Sequence, residues 1–261
     1  MSFPSRLKLL GEARRTKILE WLQEEGSARV RTLAEAFEVS EVTVRQDLER
    51  LEAEGHIERE HGGAFLKSVP RQVREMALHH LENMPAKQRI GRAAAKLVGN
   101  GETVILDSGS TTTEVAANLL GRREMTVITN ALNIALMLGA DPGFEVHMTG
   151  GHFKAPTLSL SGERSADYFT GLFAQTLFLA TAAIDLDAGL TFPALSDISV
   201  KQAMIGAAET VILVADSSKI GVRSFSSLGG INLINTLVTD HGIRDEDRAA
   251  IEAAGVRVIV A

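Results

Sequence analysis

Two short runs of this chain hold side chains whose types and spacing could do chemistry. The first is Asp107-Ser108-Gly109-Ser110-Thr111-Thr112-Thr113, where a carboxylate and a glycine precede four hydroxyl side chains at the start of a helix-like stretch. A glycine lets the backbone approach a ligand closely, and the first N–H groups of a helix have no intrahelical acceptor. Together these can cradle a phosphate. A Ser/Thr-rich capping loop with no ligand uses the same residue types, so both readings stand at this level. No G-K-[ST] occurs in the run, which separates it from the nucleotide-binding P-loop. The second run is Ser40 to Arg50, with Thr43, Arg45, Gln46 and Arg50 around an apolar stripe. Arginine can grip guanine through two hydrogen bonds and glutamine can do so for adenine, while other polar groups hold phosphates.

The elements that must position the second run are legible around it. Arg14 to Glu25 carries Ile18, Leu19 and Leu22 with Trp21 beside them, an amphipathic first helix that Gly26 ends. Leu33, Ala34 and Phe37 predict a short second helix. Ser40 stands where an N-cap belongs, with Glu41 in the first turn and Val39 and Val44 spaced as a hydrophobic staple. Val44, Leu48 and Leu51 fall on one face of a third helix, which leaves Val42, Thr43, Arg45, Gln46 and Arg50 on the others. After Gly55, the segments HIERE and GAFL could pair across His61-Gly62-Gly63 as a hairpin. This is the layout of a winged helix-turn-helix, which places one helix in the DNA major groove. A three-helix packing module with a solvated charged face is the plainer alternative.

From residue 86 onward, short apolar β-rich runs alternate with helix-like stretches. The expected strands are Thr103–Leu106, Met125–Thr129, Phe144–Thr149, Gln175–Ala180, Val211–Ala215, Thr236–Thr239 and Val256–Val260. Helix-like stretches include Ala86–Val98, Thr112–Leu120 and Asp197–Glu209. Such alternation predicts an α/β domain with a mostly parallel sheet covered on both faces. Ligands of such sheets bind beyond the carboxyl ends of the strands. Besides the Asp107 run, polar residues at expected strand ends are Thr129-Asn130, Gly150-Gly151, Asp185 and Asp216-Ser217-Ser218-Lys219. Lys201, an isolated charge ahead of an apolar run, reads equally as a surface lysine or as one facing that pocket.

Composition bounds the function classes. The chain has 261 residues, 45% hydrophobic and 23% charged, enough for two globular domains with real cores. It has no cysteine, which excludes disulfides and thiolate metal sites and fits a cytoplasmic location. The N-terminus lacks an apolar signal-type core and no apolar run reaches membrane-spanning length, so no membrane partner is expected. The net charge of −6 is uneven: residues 1–74 hold 13 Lys/Arg and 13 Asp/Glu, while residues 75–261 hold 14 and 20. Arg6, Lys8, Arg14, Arg15 and Lys17 make one end basic, and a local basic end suffices for phosphate contacts. His79 and His80 are adjacent on a helical stretch without a carboxylate at metal spacing, so they read as an exposed pair.

These motifs carry a resemblance. The F-x-VS-x-x-TVR-x-DL core, the L-x-x-x-G after it and the closing HGGA resemble the N-terminal domain of DeoR-type bacterial repressors. LDSGSTTT, VITNALNIA, TGG, Asp185…Gly189-Leu190-Thr191, VKQAMI and LVADSSKIG extend the likeness over nearly the whole chain. The resemblance implies a C-terminal domain folded like ribose-5-phosphate isomerase that senses a phosphorylated sugar. It implies a DNA surface of Ser40, Thr43, Arg45, Gln46, Arg50 and His61. It also implies an effector site of Asp107, Ser108, Gly109, Ser110, Thr111, Thr112 and Thr113 with Asn130, Asp185, Lys201 and Lys219. Glu75, Asn83 and Lys87 match the family's E…N…K pattern, for which the resemblance implies domain coupling or lining of the site. Two departures stand out: Ala182 and Ala183 replace expected glycine, and ALSDISV replaces a carboxylate-bearing segment near Lys201.

The expected organisation is a winged helix-turn-helix over 1–67, a linker over 68–85 and an α/β sensor over 86–261. The expected partners are operator double-stranded DNA, a phosphorylated sugar and a second copy of the chain in a dimer or tetramer, with no cofactor. The competing reading is a sugar-phosphate isomerase or deaminase with a DNA-binding appendage, for which Asp107, Asp185 and Lys201 offer no clear acid–base pair. A sugar kinase ranks last, because residues 86–261 are too few for the two lobes it needs.

Overall fold

The computed structural model describes residues 11–25, 27–60, 63–66, 82–154 and 157–261. The chain divides into two compact units, residues 1–81 and 82–261. Of the expected linker, only the last four positions fall among the described residues. His61, Glu75, His79 and His80 lie outside them.

The N-terminal unit runs α1 (Gly11–Glu25), β1 (Ser27–Arg29), α2 (Val30–Ala36), α3 (Glu41–Ala53), β2 (Ile57–Glu60) and β3 (Gly63–Leu66). The three helices close on Ile18, Leu22, Leu33, Val44, Leu48 and Leu51, with Ile57 and Ala64 added from the hairpin. The Ser40 hydroxyl caps α3 by accepting the Thr43 N–H at 3.1 Å. Glu38 takes the left-handed conformation, φ 53°, which turns the chain between α2 and α3. The hairpin β2–β3 is joined by β1 in the antiparallel order β1-β3-β2. That third strand has only three residues and no alternation to announce it.

The C-terminal unit begins with α4 (Met84–Ala95) and continues β4 (Thr103–Leu106), α5 (Ser110–Leu119), β5 (Met125–Thr129), α6 (Leu132–Gly139) and β6 (Phe144–Met148). A short hairpin β7 (His152–Lys154) and β8 (Ser159–Ser161) and a one-turn helix α7 (Glu163–Asp167) lead to β9 (Ala174–Leu179). Then come β10 (Ala183–Asp185), β11 (Gly189–Phe192), α8 (Ile198–Gly206), β12 (Ala208–Val214), β13 (Ser226–Gly229), β14 (Thr236–Thr239), α9 (Asp245–Ala253) and β15 (Arg257–Val260).

The seven expected strands are the seven strands of one parallel sheet, in the order β15-β14-β12-β9-β4-β5-β6. Two apolar clusters cover its faces, one around Ile105, Leu177 and Leu213, the other around Val104, Leu106 and Val127. From β4 the chain moves outward through β5 and β6, and from β9 it moves outward the other way. The order therefore reverses between β4 and β9, the kind of position where ligands of such sheets bind. A separate three-stranded antiparallel sheet, β10-β11-β13, was not expected. Among the described residues no helix is long and apolar enough to cross a membrane.

Candidate functional site

The point between β4 and β9 where the strand order reverses is built around Asp107, the residue after β4, which is fully buried. One carboxylate oxygen accepts the Ser108 N–H at 2.8 Å, and the other accepts the Ala180 N–H beyond β9 at 3.0 Å. That second oxygen also accepts from the Lys201 ammonium of α8, itself almost wholly buried. Lys201 lies over the Phe192 ring, 4.8 Å from its centroid, so an aromatic face and a carboxylate together compensate its burial. The lysine that the sequence left ambiguous thus faces inward.

Gly109 follows, and a methyl group on it would meet the Ala180 methyl at 2.8 Å and the Thr112 hydroxyl at 3.2 Å. Glycine is thus required here by packing against Ala180. The Thr112 and Thr113 hydroxyls turn back onto the Gly109 carbonyl at 2.9 and 2.8 Å, and Thr113 also accepts from Asn133. Ser110 and Thr111 carry the other two hydroxyls after the glycine, beside the first-turn N–H groups of α5. This arrangement can hold an anion through N–H and O–H donors.

Neighbouring strand ends carry the other expected residues. Asn130 follows β5, next to β4, and donates to the Leu160 carbonyl at 3.1 Å, tying that strand end to β8. After β12, buried Asp216 accepts from Asn83 at 3.0 Å and from the Ser218 N–H, and Lys219 closes the turn. Asn83 of the E…N…K pattern thus braces the Asp216–Lys219 turn. Lys87 is buried on α4. Asp240, after β14, accepts the Ser217 N–H at 2.7 Å. Burial pushes the Asp240 carboxyl up, but the hydrogen bonds from Ser217 and Gly242 outweigh it and hold it below its usual range.

Asp185 ends β10 of the small antiparallel sheet, where the neighbouring Ile184 carbonyl accepts the Gly221 N–H at 2.9 Å just past Lys219. Arg223 holds it through two hydrogen bonds of 2.9 and 2.8 Å, and the Ala188 and Asp187 N–H groups add to them. The Arg223 guanidinium first, then those backbone donors, keep its carboxyl far below the ordinary aspartate range. Arg223, unmarked in the sequence reading, is its partner.

In the N-terminal unit, α3 buries Val44, Asp47, Leu48 and Leu51 and exposes Val42, Arg45, Gln46, Glu49 and Arg50, with Thr43 half-buried. The Ser40 and Thr43 hydroxyls lie 2.8 Å apart at the cap, and Arg45 reaches back to Glu41 at 2.7 Å. One expectation is corrected. Arg14, counted in the basic end, is buried and donates to Asp47 of α3, with Arg15 3.6 Å from the same carboxylate. Its charge is committed to the interior because Asp47 faces the helix packing rather than solvent.

With this geometry in place, two family descriptions match the chain. The DeoR-like helix-turn-helix domain matches residues 14–69 and the DeoR C-terminal sensor domain matches residues 82–241. The HTH-type transcriptional regulator GlpR of Haloferax volcanii is 33% identical over 251 residues, covering 96% of this chain and 98% of the relative. The glycerol-3-phosphate regulon repressor of Escherichia coli is 31% identical over 229 residues, covering 87% and 90%. Among solved structures, ribose 5-phosphate isomerase A from Neisseria gonorrhoeae aligns with 52% of this chain and 53% of its own at 14% identity and a TM-score of 0.38.

Proposed function

The chain belongs to the DeoR family of DNA-binding transcriptional regulators, and from that premise we propose that it represses a sugar-metabolism operon and releases it when a phosphorylated sugar binds beyond the ends of β4 and β9. It is a regulator and not an enzyme. The repressors of glycerol-3-phosphate and related regulons among its relatives support the class of operon. The observation that carries the effector half is the Gly109–Thr111 loop at the start of α5, set beside the buried Asp107–Lys201 pair at the reversal of strand order.

In this reading the phosphate sits on the Gly109–Thr111 backbone and hydroxyls. Lys201 shares its charge between Asp107 and the ligand, and Asn130 and Lys219 border the sugar. Thr43, Arg45, Gln46 and Arg50 face the operator, flanked by Ser40. Operators read by paired recognition helices require at least a dimer, with half-sites about one helical turn apart or a multiple of it. Such a regulator works in the cytoplasm, where its operator lies. Release of DNA requires that the ligand prefer one of two arrangements of those paired domains.

The test is a thermal-shift screen of the full chain against sugar phosphates and the matching free sugars, followed by DNA-release assays with any hit. A ligand that binds only the native state raises the melting temperature by mass action. A shift from one sugar phosphate, absent with its free sugar and accompanied by release of bound DNA, is the expected result. A shift from a free sugar alone, or none from any phosphate, overturns the effector assignment and leaves the DNA-binding half untouched.

A further inference from the structure

We propose that Val42 is a base-reading residue that packs against the 5-methyl group of a thymine in the operator. The proposal rests on α3 being the helix that enters the major groove. Val42 lies in the first turn of α3, where a recognition helix meets base edges, and it is 60% exposed. It is the large apolar side chain exposed on α3. Its i+3 and i+4 neighbours are Arg45 and Gln46, both exposed. Arg45 is paired with Glu41, so the charges flanking Val42 in this turn are balanced.

The chemistry of the groove then selects the partner. An isopropyl group gains nothing from a phosphate oxygen, and the thymine methyl is the apolar feature that the major groove presents. Gln46, one helical turn further on, has the donor–acceptor pair that matches adenine. Side chains at i and i+4 start about 5–6 Å apart, and bases stack about 3.4 Å apart along a strand. Val42 and Gln46 therefore address bases no more than about two steps apart, and each half-site carries a thymine within two base pairs of an adenine.

The experiment uses the full chain. Preferred duplexes are selected from a randomised pool, and each thymine of the enriched site is then replaced by deoxyuridine, which removes only the methyl. One thymine per half-site is expected to lose about fourfold in affinity on replacement, the value of covering one methyl. Val42→Ala should bind the thymine and deoxyuridine duplexes equally, and Val42→Ile should keep the difference. Gln46→Ala should keep it too while relaxing the neighbouring adenine. No sequence enrichment at all would remove α3 as a reader of sequence, and the proposal with it. Enrichment without a methyl-sensitive thymine, or sensitivity that survives Val42→Ala, overturns the proposal alone.

Discussion

Lys201 of α8 donates to the Asp107 carboxylate at the end of β4, across the point where the strand order reverses. The same carboxylate takes the Ala180 N–H beyond β9. One buried aspartate thus ties together the ends of β4 and β9 and helix α8. If the proposed phosphate at the start of α5 draws on the same ammonium, the pair is also a lever on α8.

The strength of that lever is measurable. Lys201→Met leaves a buried carboxylate without its cation and is expected to destabilise the C-terminal unit by about 3–5 kcal/mol. Asp107→Asn strands the ammonium and should cost a similar amount. The double variant should cost less than the sum of the two, because each single change already breaks the pair. The only tyrosine, Tyr168, lies in the C-terminal unit and the only tryptophan, Trp21, in the N-terminal one, so denaturation followed by both fluorophores separates the two transitions. Additive destabilisation would mean that the pair contributes no coupling.

At Gly109 the expected effect is steric. Gly109→Ala adds a methyl 2.8 Å from that of Ala180, and overpacking of this kind costs about 1–3 kcal/mol while moving the loop off its geometry. Thr111→Val keeps the shape and removes one hydroxyl, so its melting temperature should barely change. Both variants should bind DNA and fail to release it with the sugar phosphate that releases the parent. Normal release from both would take this loop out of the ligand site.

How much of this was legible depends on what each residue answers to. The seven strands of the parallel sheet were visible as short apolar-rich runs between helix-like stretches, and the α3 core face was visible as Val44, Leu48 and Leu51. The strands β7, β8, β10, β11 and β13 are three or four residues long, and β11 shifts register at Leu190–Thr191, too little pattern to read. Long-range polar partners were equally hidden. Nothing local says that Arg14 turns inward to Asp47, 33 positions away, or that Lys201 meets Asp107, 94 away. The Gly109 loop was recognisable from composition, whereas its pressure against Ala180 required the register of β4 on β9.

Acid should expose the brace beneath the Asp216–Lys219 turn. The folded Asp240 carboxyl titrates below its ordinary value because the Ser217 and Gly242 hydrogen bonds outweigh burial. Below neutrality the unfolded chain therefore takes up the proton first. The contribution to stability is full above the unfolded value of about 3.9 and is lost as the pH falls through the lower folded one. Asp240→Asn should lower the melting temperature at pH 7 and weaken its fall between pH 5 and pH 3. A parallel offset at every pH would show that the carboxylate does not titrate with folding.

Arg45 offers the sharpest test of the DNA surface, since its ion-pair partner among the described residues is the exposed Glu41. Such pairs contribute about 0.3–0.5 kcal/mol along a helix, so Arg45→Ala should leave the Trp21 unfolding transition nearly in place. Operator affinity should nevertheless fall. The salt dependence then says what the guanidinium touches. If it holds a phosphate, its removal weakens binding to all sequences and reduces the slope of log affinity against log salt by about 1. If it grips a guanine, its removal costs about 1–3 kcal/mol at the preferred site and relaxes the preference at one base pair. Glu41→Ala discriminates further: freeing Arg45 from its partner should tighten binding if that pair must open to meet DNA. Unchanged affinity in Arg45→Ala at matched salt would remove the residue from the interface and shift the reading of sequence onto Gln46 and Arg50.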